Sequence, residues 1–192
     1  MSDQSLEVRG PQGSSSGFAP FLQSERLYLR ALTLEDVTDD YYRWMNDPEV
    51  TRNLESRFFP QSKESIRAFV QSLQSDRNHA FFAIVLKAGD RHIGNIKLGP
   101  INWIHGLGEI GLMIGERDTW GKGYATEAIR LVTDYAFQRL NLHKVTAGCY
   151  ATNQGSARAF ERAGFEVEGI RPNHLFCDGM YVDCILLGRI KT

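Results

Sequence analysis

Residues suited to anion binding are concentrated in one short stretch near the middle of the chain, Trp-Gly-Lys-Gly-Tyr-Ala-Thr-Glu-Ala at 120–128. Its glycines allow the backbone to approach a ligand closely, because they carry no Cβ. The apolar run at 110–114 predicts a strand before it, and periodic apolar residues predict a helix from about 123 to 139. The first amides of a helix lack intrahelical partners and attract anions. Residues 121 to 126 are therefore predicted to bind phosphate.

Two familiar phosphate-binding motifs are absent from this stretch. A Walker loop would continue from its lysine into Ser or Thr, whereas Lys122 is followed by Gly123. The dinucleotide fingerprint G-x-G-x-x-G needs a third glycine, and position 126 is Thr. Glycine-rich turns also precede helices in proteins that bind no ligand, so the interpretation depends on the rest of the chain.

The composition indicates one globular domain and excludes several classes of partner. The chain has 192 residues, of which 42% are hydrophobic and 23% charged. The net charge of −1 gives no basic excess that would indicate a nucleic-acid partner. No apolar run approaches the roughly 20 residues that cross a bilayer, so no membrane partner is expected. The N-terminus has no apolar signal segment, and a cytoplasmic location is expected.

Cysteine usage and the N-terminal composition add two further expectations. Cys149, Cys177 and Cys184 lack the spacing of metal ligands, which predicts free thiols and no metal site. Residues 1–20 are rich in Ser, Gly and Pro. We therefore expect a flexible N-terminal tail over residues 1–23 and a single domain over residues 24–192.

The elements that would position the glycine-rich stretch alternate between strands and helices. Strands are predicted at 26–32, 79–86, 92–98, 109–114, 144–150, from 165 onward, and at 181–189. Helices are predicted at 34–45, 62–73, 123–139 and 153–163. Short turns join the central strands, which favours antiparallel pairing, and a right-handed crossover joins the strands on either side of the central helix. The predicted fold is a mixed α/β sheet with helices on both faces.

That order of elements and three segments resemble the GNAT superfamily of acetyl-CoA-dependent N-acetyltransferases. The family's pyrophosphate loop follows Arg/Gln-x-x-Gly-x-Gly/Ala, and residues 120–125 match it except that Trp120 replaces the first residue. Residues 153–165, which contain Asn-x-x-Ser and end in Gly-Phe, are similar to a segment of the RimJ/RimL branch, as is the hairpin at 178–183. The resemblance covers about residues 24–190.

The resemblance implies acetyl-CoA as co-substrate and a mostly antiparallel, twisted GNAT-like sheet whose two parallel strands splay apart around pantetheine. A bulge at Gly111 or Gly115 would mark the splay. The implied cofactor-binding residues are Leu112, Met113, Ile114, Gly121, Lys122, Gly123, Tyr124, Ala125, Thr126, Asn153, Ser156 and Phe160. Asn153 would equally suit a helix N-cap, and Lys122 a solvated surface charge, so both interpretations stay open.

The implied reaction is attack of an amine on a thioester carbonyl, which needs a neutral amine and a proton for the departing thiolate. Glu109, at the start of the strand before the loop, is the predicted general base. A backbone amide near Met113 or Ile114 is expected to polarise the carbonyl. Many GNAT members have an acidic Tyr where this chain has Phe160. The resemblance therefore implies Ser156 as the proton donor, with Tyr150 and Cys149 as alternatives.

The acceptor is expected to bind among the N-terminal helices, the 52–60 loop and the final hairpin. Residues with suitable charge or aromatic surface there are Arg52, Glu55, Arg57, Phe58, Phe59, His174, Asp178 and Tyr181. The acceptor is left open among a protein N-terminus, a small amine and an amino sugar on a nucleotide, and a homodimer also stays open. The alternative from another class is a non-catalytic, CoA-binding regulatory module, which the loss of the acidic Tyr favours.

Overall fold

The computed structural model describes residues 19–192, so most of the predicted N-terminal tail lies outside the described residues. The last residues assigned to that tail nevertheless belong to the sheet. Leu22–Gln23 form strand β1, and the amide of Phe21 donates a hydrogen bond of 2.8 Å to the Leu29 carbonyl. Leu22 is buried, which gives this short strand an apolar contact with the core.

The remaining strands are β2 (Leu27–Ala31), β3 (Ala80–Leu86), β4 (Arg91–Leu98), β5 (Leu107–Ile114), β6 (Lys144–Tyr150), β7 (Glu166–Cys177) and β8 (Met180–Ile190). The helices are α1 (Asp39–Asn46), α2 (Pro48–Thr51), α3 (Lys63–Gln74), α4 (Tyr124–Gln138) and α5 (Gln154–Arg162). The described strands form one eight-stranded sheet in the order β1-β2-β3-β4-β5-β6-β8-β7. Only β5 and β6 are parallel neighbours, which confirms the predicted mixed, mostly antiparallel fold.

The helix predicted at 34–45 begins later than the sequence indicated. Thr33 and Asp36 do form the expected capping box, but they cap only a 3-10 turn at Leu34–Asp36. A second cap, in which the Thr38 hydroxyl accepts from the Tyr41 amide at 3.4 Å, begins α1. Asp47 then caps α2, with Pro48 in its first turn, so the proline that ends one helix starts the next.

Apolar side chains form a core on each face of the sheet, which confirms the prediction of helices on both faces. The first core packs α4 and α5 on the sheet and contains Ile110, Ile129 and Phe160. The second contains Trp44 and Val70 from α1 and α3, and Met113 from β5. The second side of the sheet is called the α1–α3 face below.

The parallel strands separate in the middle of the sheet. β5 and β6 pair only where residues 107–109 lie opposite residues 144–146. Beyond that point β5 stays paired with β4 as far as Ile114, and β6 stays paired with β8 as far as Tyr150. A wedge therefore opens between β5 and β6 after Glu109 and Thr146.

No bulge occurs at Gly111, because β4 and β5 keep one register from Ile110 to Ile114. At the alternative position, the amides of Gly115 and Glu116 both donate to the Ile93 carbonyl, at 2.8 and 3.1 Å, and the β3–β4 pairing is also irregular beside Ile93. Packing requires a glycine at position 115, because a Cβ there would lie 2.1 Å from the buried Trp44 ring. The irregularity therefore lies where β5 ends, at Gly115, and not at Gly111.

Candidate functional site

The turn before α4 leaves a row of main-chain amides without partners. Gly121 and Gly123 have φ of 74° and 84°, which are left-handed values that glycine adopts readily. The first amide of α4 with a backbone partner is that of Glu127, which donates to the Gly123 carbonyl at 3.1 Å. Within the described chain, the amides of residues 121–126 make no backbone hydrogen bond. This is the geometry of an anion site at a helix N-terminus.

Arg26, which lies just before β2, holds this turn in place. Its guanidinium donates to the Lys122 carbonyl at 3.0 Å and to the Glu127 carboxylate at 2.8 Å, and it lies 4.6 Å from the centre of the Tyr124 ring. The Ser24 hydroxyl also donates to Glu127. These bonds compensate the negative charge of Glu127, which would otherwise repel an anion at the start of α4.

A surface groove of about 820 Å³ continues from Gly123 and Thr126 along α4. Arg26, Arg130 and Arg162 line it, and Arg130 donates to the Arg162 carbonyl. Guanidinium groups bind phosphate well because their donors match its oxygens. Glu25, Glu127 and Asp134 also line the groove and balance its arginines, so the free amides of the turn remain the main anion-binding feature. Sequence reasoning missed these arginines, because they come from three separate elements.

The unpaired edge of β5 presents main-chain groups to the wedge. The Glu109 carbonyl accepts from Gly99 and the Gly115 amide donates to Ile93, so the odd-numbered residues of β5 direct their main-chain groups toward β4. The groups of Leu112 and Ile114 consequently face the wedge. The Met113 amide, which was predicted as an alternative donor to the reacting carbonyl, faces β4 instead.

Trp120 contacts the same edge. Its Nε1 donates to the Ile114 carbonyl at 2.9 Å, and its ring is 42% exposed. The residue that departs from the Arg/Gln pattern of the loop thus ties the loop to the strand before it. No signal in the sequence indicated this contact.

A buried carboxylate anchors the end of β5 to α1. Glu116 accepts from Trp44 Nε1 at 2.8 Å and from Arg43 at 2.7 Å, and it also pairs with Arg91. Burial raises the pKa of Glu116, but these donors and the arginine charges outweigh burial and hold it below its ordinary value of 4.5. The ionised carboxylate therefore links β5, β4 and α1 at the entrance to the loop.

The start of α5 carries the predicted Asn153, Ser156 and Phe160. Asn153 is the N-cap, and its Oδ1 accepts from the Ser156 amide at 3.1 Å. The Ser156 hydroxyl makes no hydrogen bond to another described residue, so it remains available to a ligand. Phe160 is buried against Phe165, with ring centres 5.1 Å apart, and belongs to the core.

Alternation along the strands places Glu109 on the α1–α3 face. Met113 packs into the core on that face and Ile110 into the opposite core, so Glu109 and Gly111 share the face of Met113. By the same alternation Gly148 and Tyr150 of β6 lie on this face. Gly111 and Gly148 therefore leave the surface between β5 and β6 without side chains. This surface is called the glycine floor below. A Cβ on Gly111 would meet no atom within 4 Å.

Tyr150 bonds to two residues of the predicted acceptor loop. Its hydroxyl donates to Glu55 Oε1 at 2.6 Å and accepts from Arg57 Nη1 at 3.0 Å. Arg57 also donates to the carbonyls of Leu54 and Phe176, which joins the loop to the β7–β8 hairpin. Burial and the bond to Glu55 raise the pKa of Tyr150, whereas Arg57 lowers it.

The other predicted acceptor residues are largely exposed. Phe58, Phe59 and Tyr181 expose much of their rings, and Arg52 pairs with Asp178 at 2.8 Å across the loop and the hairpin. His174 is exposed on β7. The structure therefore brings the loop and the hairpin together over the end of β6.

The cysteines are free and buried. Burial raises the pKa of Cys149 to about 11, so this thiol stays protonated near neutral pH. The described residues contain no cluster of side chains that would hold a metal ion. None of their helices combines the length and apolar character needed to span a bilayer.

Comparisons with known proteins agree with this geometry. The model of the acetyltransferase (GNAT) domain family matches residues 26–166. An uncharacterized N-acetyltransferase of Bacillus licheniformis is 32% identical over 88% of this chain and 96% of its own length. The spermidine N(1)-acetyltransferase of Vibrio cholerae is 29% identical over 83% of this chain and 90% of its own length.

A solved structure with a similar fold also comes from Vibrio cholerae. It is a spermidine N-acetyltransferase from Vibrio cholerae in complex with CoA and spermine, with a TM-score of 0.77 and 27% identity. The match covers 85% of this chain and 95% of that one. These relatives support the family as a whole and do not single out the RimJ/RimL branch.

Proposed function

The chain belongs to the acetyltransferase (GNAT) family, and from that premise we propose that it acetylates the primary amine of a small molecule. The observation that carries the proposal is the wedge between β5 and β6, whose unpaired edge leads to the free amides of residues 121–126. An elongated ligand that carries a diphosphate beyond its pantetheine arm fits this arrangement. The spermidine acetyltransferases among the relatives favour a small amine over a protein N-terminus.

Acetyl-CoA is the co-substrate and supplies the activated acetyl group when it is bound. The amides of residues 121–126 would hold its diphosphate, and Lys122 would add positive charge. Leu112 and Ile114 would bond pantetheine along the β5 edge, and the Asn153 side-chain amide would donate to it. Asn153 can do this while its Oδ1 caps α5, because its nitrogen makes no bond to a described residue.

The predicted proton-transfer residues lie on two sides of the wedge. Glu109, on the α1–α3 face, would accept the proton of the incoming amine, directly or through water. Ser156, at the start of α5, would donate a proton or hydrogen bond to the departing sulfur. The acceptor would thus approach over Gly111 and Gly148, while the thiolate departs on the side of α5. The Leu112 amide is the donor best placed to polarise the thioester carbonyl.

The proposal is tested by release of free thiol from acetyl-CoA in the presence of a panel of amines. The panel contains aliphatic monoamines, diamines, an amino-sugar nucleotide and a peptide with a free N-terminus. We expect turnover with small aliphatic amines and product mass increased by one acetyl group. Turnover with the peptide alone would overturn the small-amine assignment, and CoA binding without turnover on any amine would contradict the proposed function.

A further inference from the structure

Two carboxylates on the α1–α3 face make no ion pair with another described residue. They are Glu109 on β5 and Glu55 in the loop between α2 and α3. The nearby Asp178 differs, because Arg52 neutralises it at 2.8 Å. Two negative charges without cation partners therefore border the glycine floor over which the acceptor is proposed to approach.

Both carboxylates lie beside the same part of the sheet. Glu109 shares the α1–α3 face with Gly111 of β5, and Glu55 bonds to the hydroxyl of Tyr150, which shares that face with Gly148 of β6. Cys184 lies opposite Tyr150 in the β6–β8 pairing, and its Sγ is 3.6 Å from where a Gly148 Cβ would lie. Glu109 and Glu55 thus approach the floor from different elements.

Glu55 is held in place without being neutralised. One of its oxygens, Oε1, accepts from the Tyr150 hydroxyl at 2.6 Å, and Oε2 has no hydrogen-bond partner among residues 19–192. Arg57 supports this arrangement through Tyr150 and stacks on its ring at 4.9 Å, but it forms no ion pair with Glu55. Fixed geometry and a free oxygen are the properties of a carboxylate that binds a cationic ligand.

We propose that Glu55 determines acceptor specificity by binding a second ammonium group, so that the preferred acceptors are diamines or polyamines. This inference rests on the proposed function. The ammonium would bond to the free oxygen of Glu55, and the chain of the acceptor would lie over Gly111 and Gly148. The reacting amine would then lie within reach of Glu109.

The experiment compares two acceptors of equal chain length, 1,4-diaminobutane and 1-aminobutane, at saturating acetyl-CoA. The wild-type protein should prefer the diamine in kcat/KM by about tenfold or more, since a hydrogen bond to a charged group has that effect. Glu55→Gln should abolish this preference by raising the KM of the diamine, with kcat/KM for the monoamine unchanged. The control Glu49→Gln removes an exposed carboxylate nearby and should keep the preference.

A second variant tests the support of the carboxylate. Tyr150→Phe removes the hydroxyl that positions Glu55, so the preference should fall to an intermediate value while the KM for acetyl-CoA stays constant. Retention of the full preference in Glu55→Gln, an equal loss on both amines, or equal use of both amines by the wild type would overturn the inference alone. Absence of turnover with every amine would instead refute the proposed function.

Discussion

At the scale of single residues, one side chain at the start of α5 fits both roles predicted for it. Asn153 caps the helix through Oδ1 and retains its nitrogen as a donor, so the capping role and the predicted cofactor role do not compete. The cap also fixes Ser156, whose amide it bonds. Ser156 lies in the first turn of α5 and its hydroxyl has no hydrogen-bond partner among the described residues, whereas Phe160, one turn later, is buried in the core.

Ser156→Ala should lower kcat by about tenfold or more, because the departing thiolate would lose its proton or hydrogen-bond donor. The affinity for CoA should change little, since the amide of residue 156 still bonds to Asn153. Steady-state kinetics and calorimetry with CoA measure the two quantities. Ser72→Ala, which removes a hydroxyl from exposed α3, is the control. Unchanged turnover in Ser156→Ala would remove Ser156 from the mechanism.

At the scale of elements, contacts with other elements hold the strand–turn–helix unit in place. Trp120 ties the turn to the end of β5, Arg26 ties it to the start of β2, and Glu116 ties the preceding segment to α1. Together these contacts restrain the turn that carries the free amides. Such preorganisation strengthens anion binding, because the donors need no rearrangement when the ligand arrives.

Gly123→Val should abolish detectable CoA binding. A β-branched residue at φ 84° is strained by about 1–3 kcal/mol, and relief of that strain would reorient the amides. Titration calorimetry with CoA measures the effect. Gly89→Val is a matched control, because Gly89 has φ of 77° and open space around it in the β3–β4 turn. Wild-type affinity in Gly123→Val would contradict the assignment of this turn to the diphosphate.

At the scale of the whole molecule, buried charges join the core on the α1–α3 face to the sheet. Arg30 donates two hydrogen bonds, of 2.8 and 2.6 Å, to Asp36, and both side chains are buried. Burial raises the pKa of Asp36, but bonds from Arg30 and the Thr33 amide outweigh it and hold the pKa below 3.8. Burial also lowers the pKa of His92 below 6.5, so its ring is neutral when folded near neutral pH.

These shifts predict loss of stability in acid. A carboxyl group with a lowered folded pKa stabilises the protein above its unfolded pKa, and this contribution disappears as pH falls through the folded value. Asp36→Asn should cost about 3–5 kcal/mol, because Arg30 loses its buried carboxylate, and should flatten the decline between about pH 5 and 2. Protonation of His92 also lowers the stability as pH falls, but at higher pH. The variant and the wild type are therefore compared below pH 5.

Urea unfolding at several pH values measures this effect. The control is Asp39→Asn, which removes an exposed carboxylate paired with Lys63. That variant should keep nearly the wild-type stability, because exposed ion pairs contribute little. An Asp36→Asn variant with the same pH dependence as the wild type would contradict the role assigned to the Arg30–Asp36 pair.

The sequence by itself determined most of the elements and the glycine-rich turn before α4. Local patterns sufficed for β6, predicted at 144–150 and observed at Lys144–Tyr150, because strand periodicity and turn residues act between near neighbours. The turn at Gly121 and Gly123 could be predicted equally well, since only glycine adopts such φ values readily. The start of α1 was misjudged because a second local cap at Thr38 competes with the one at Thr33.

Only the tertiary structure decided which groups meet at the site. Arg26 and Glu127 are 101 residues apart in the chain, and Glu55 and Tyr150 are 95 apart, yet each pair is bonded. The direction of the β5 main chain, which places Leu112 rather than Met113 at the wedge, depends on pairing with β4. Such contacts follow from packing and strand register, and short-range sequence patterns specify neither of them.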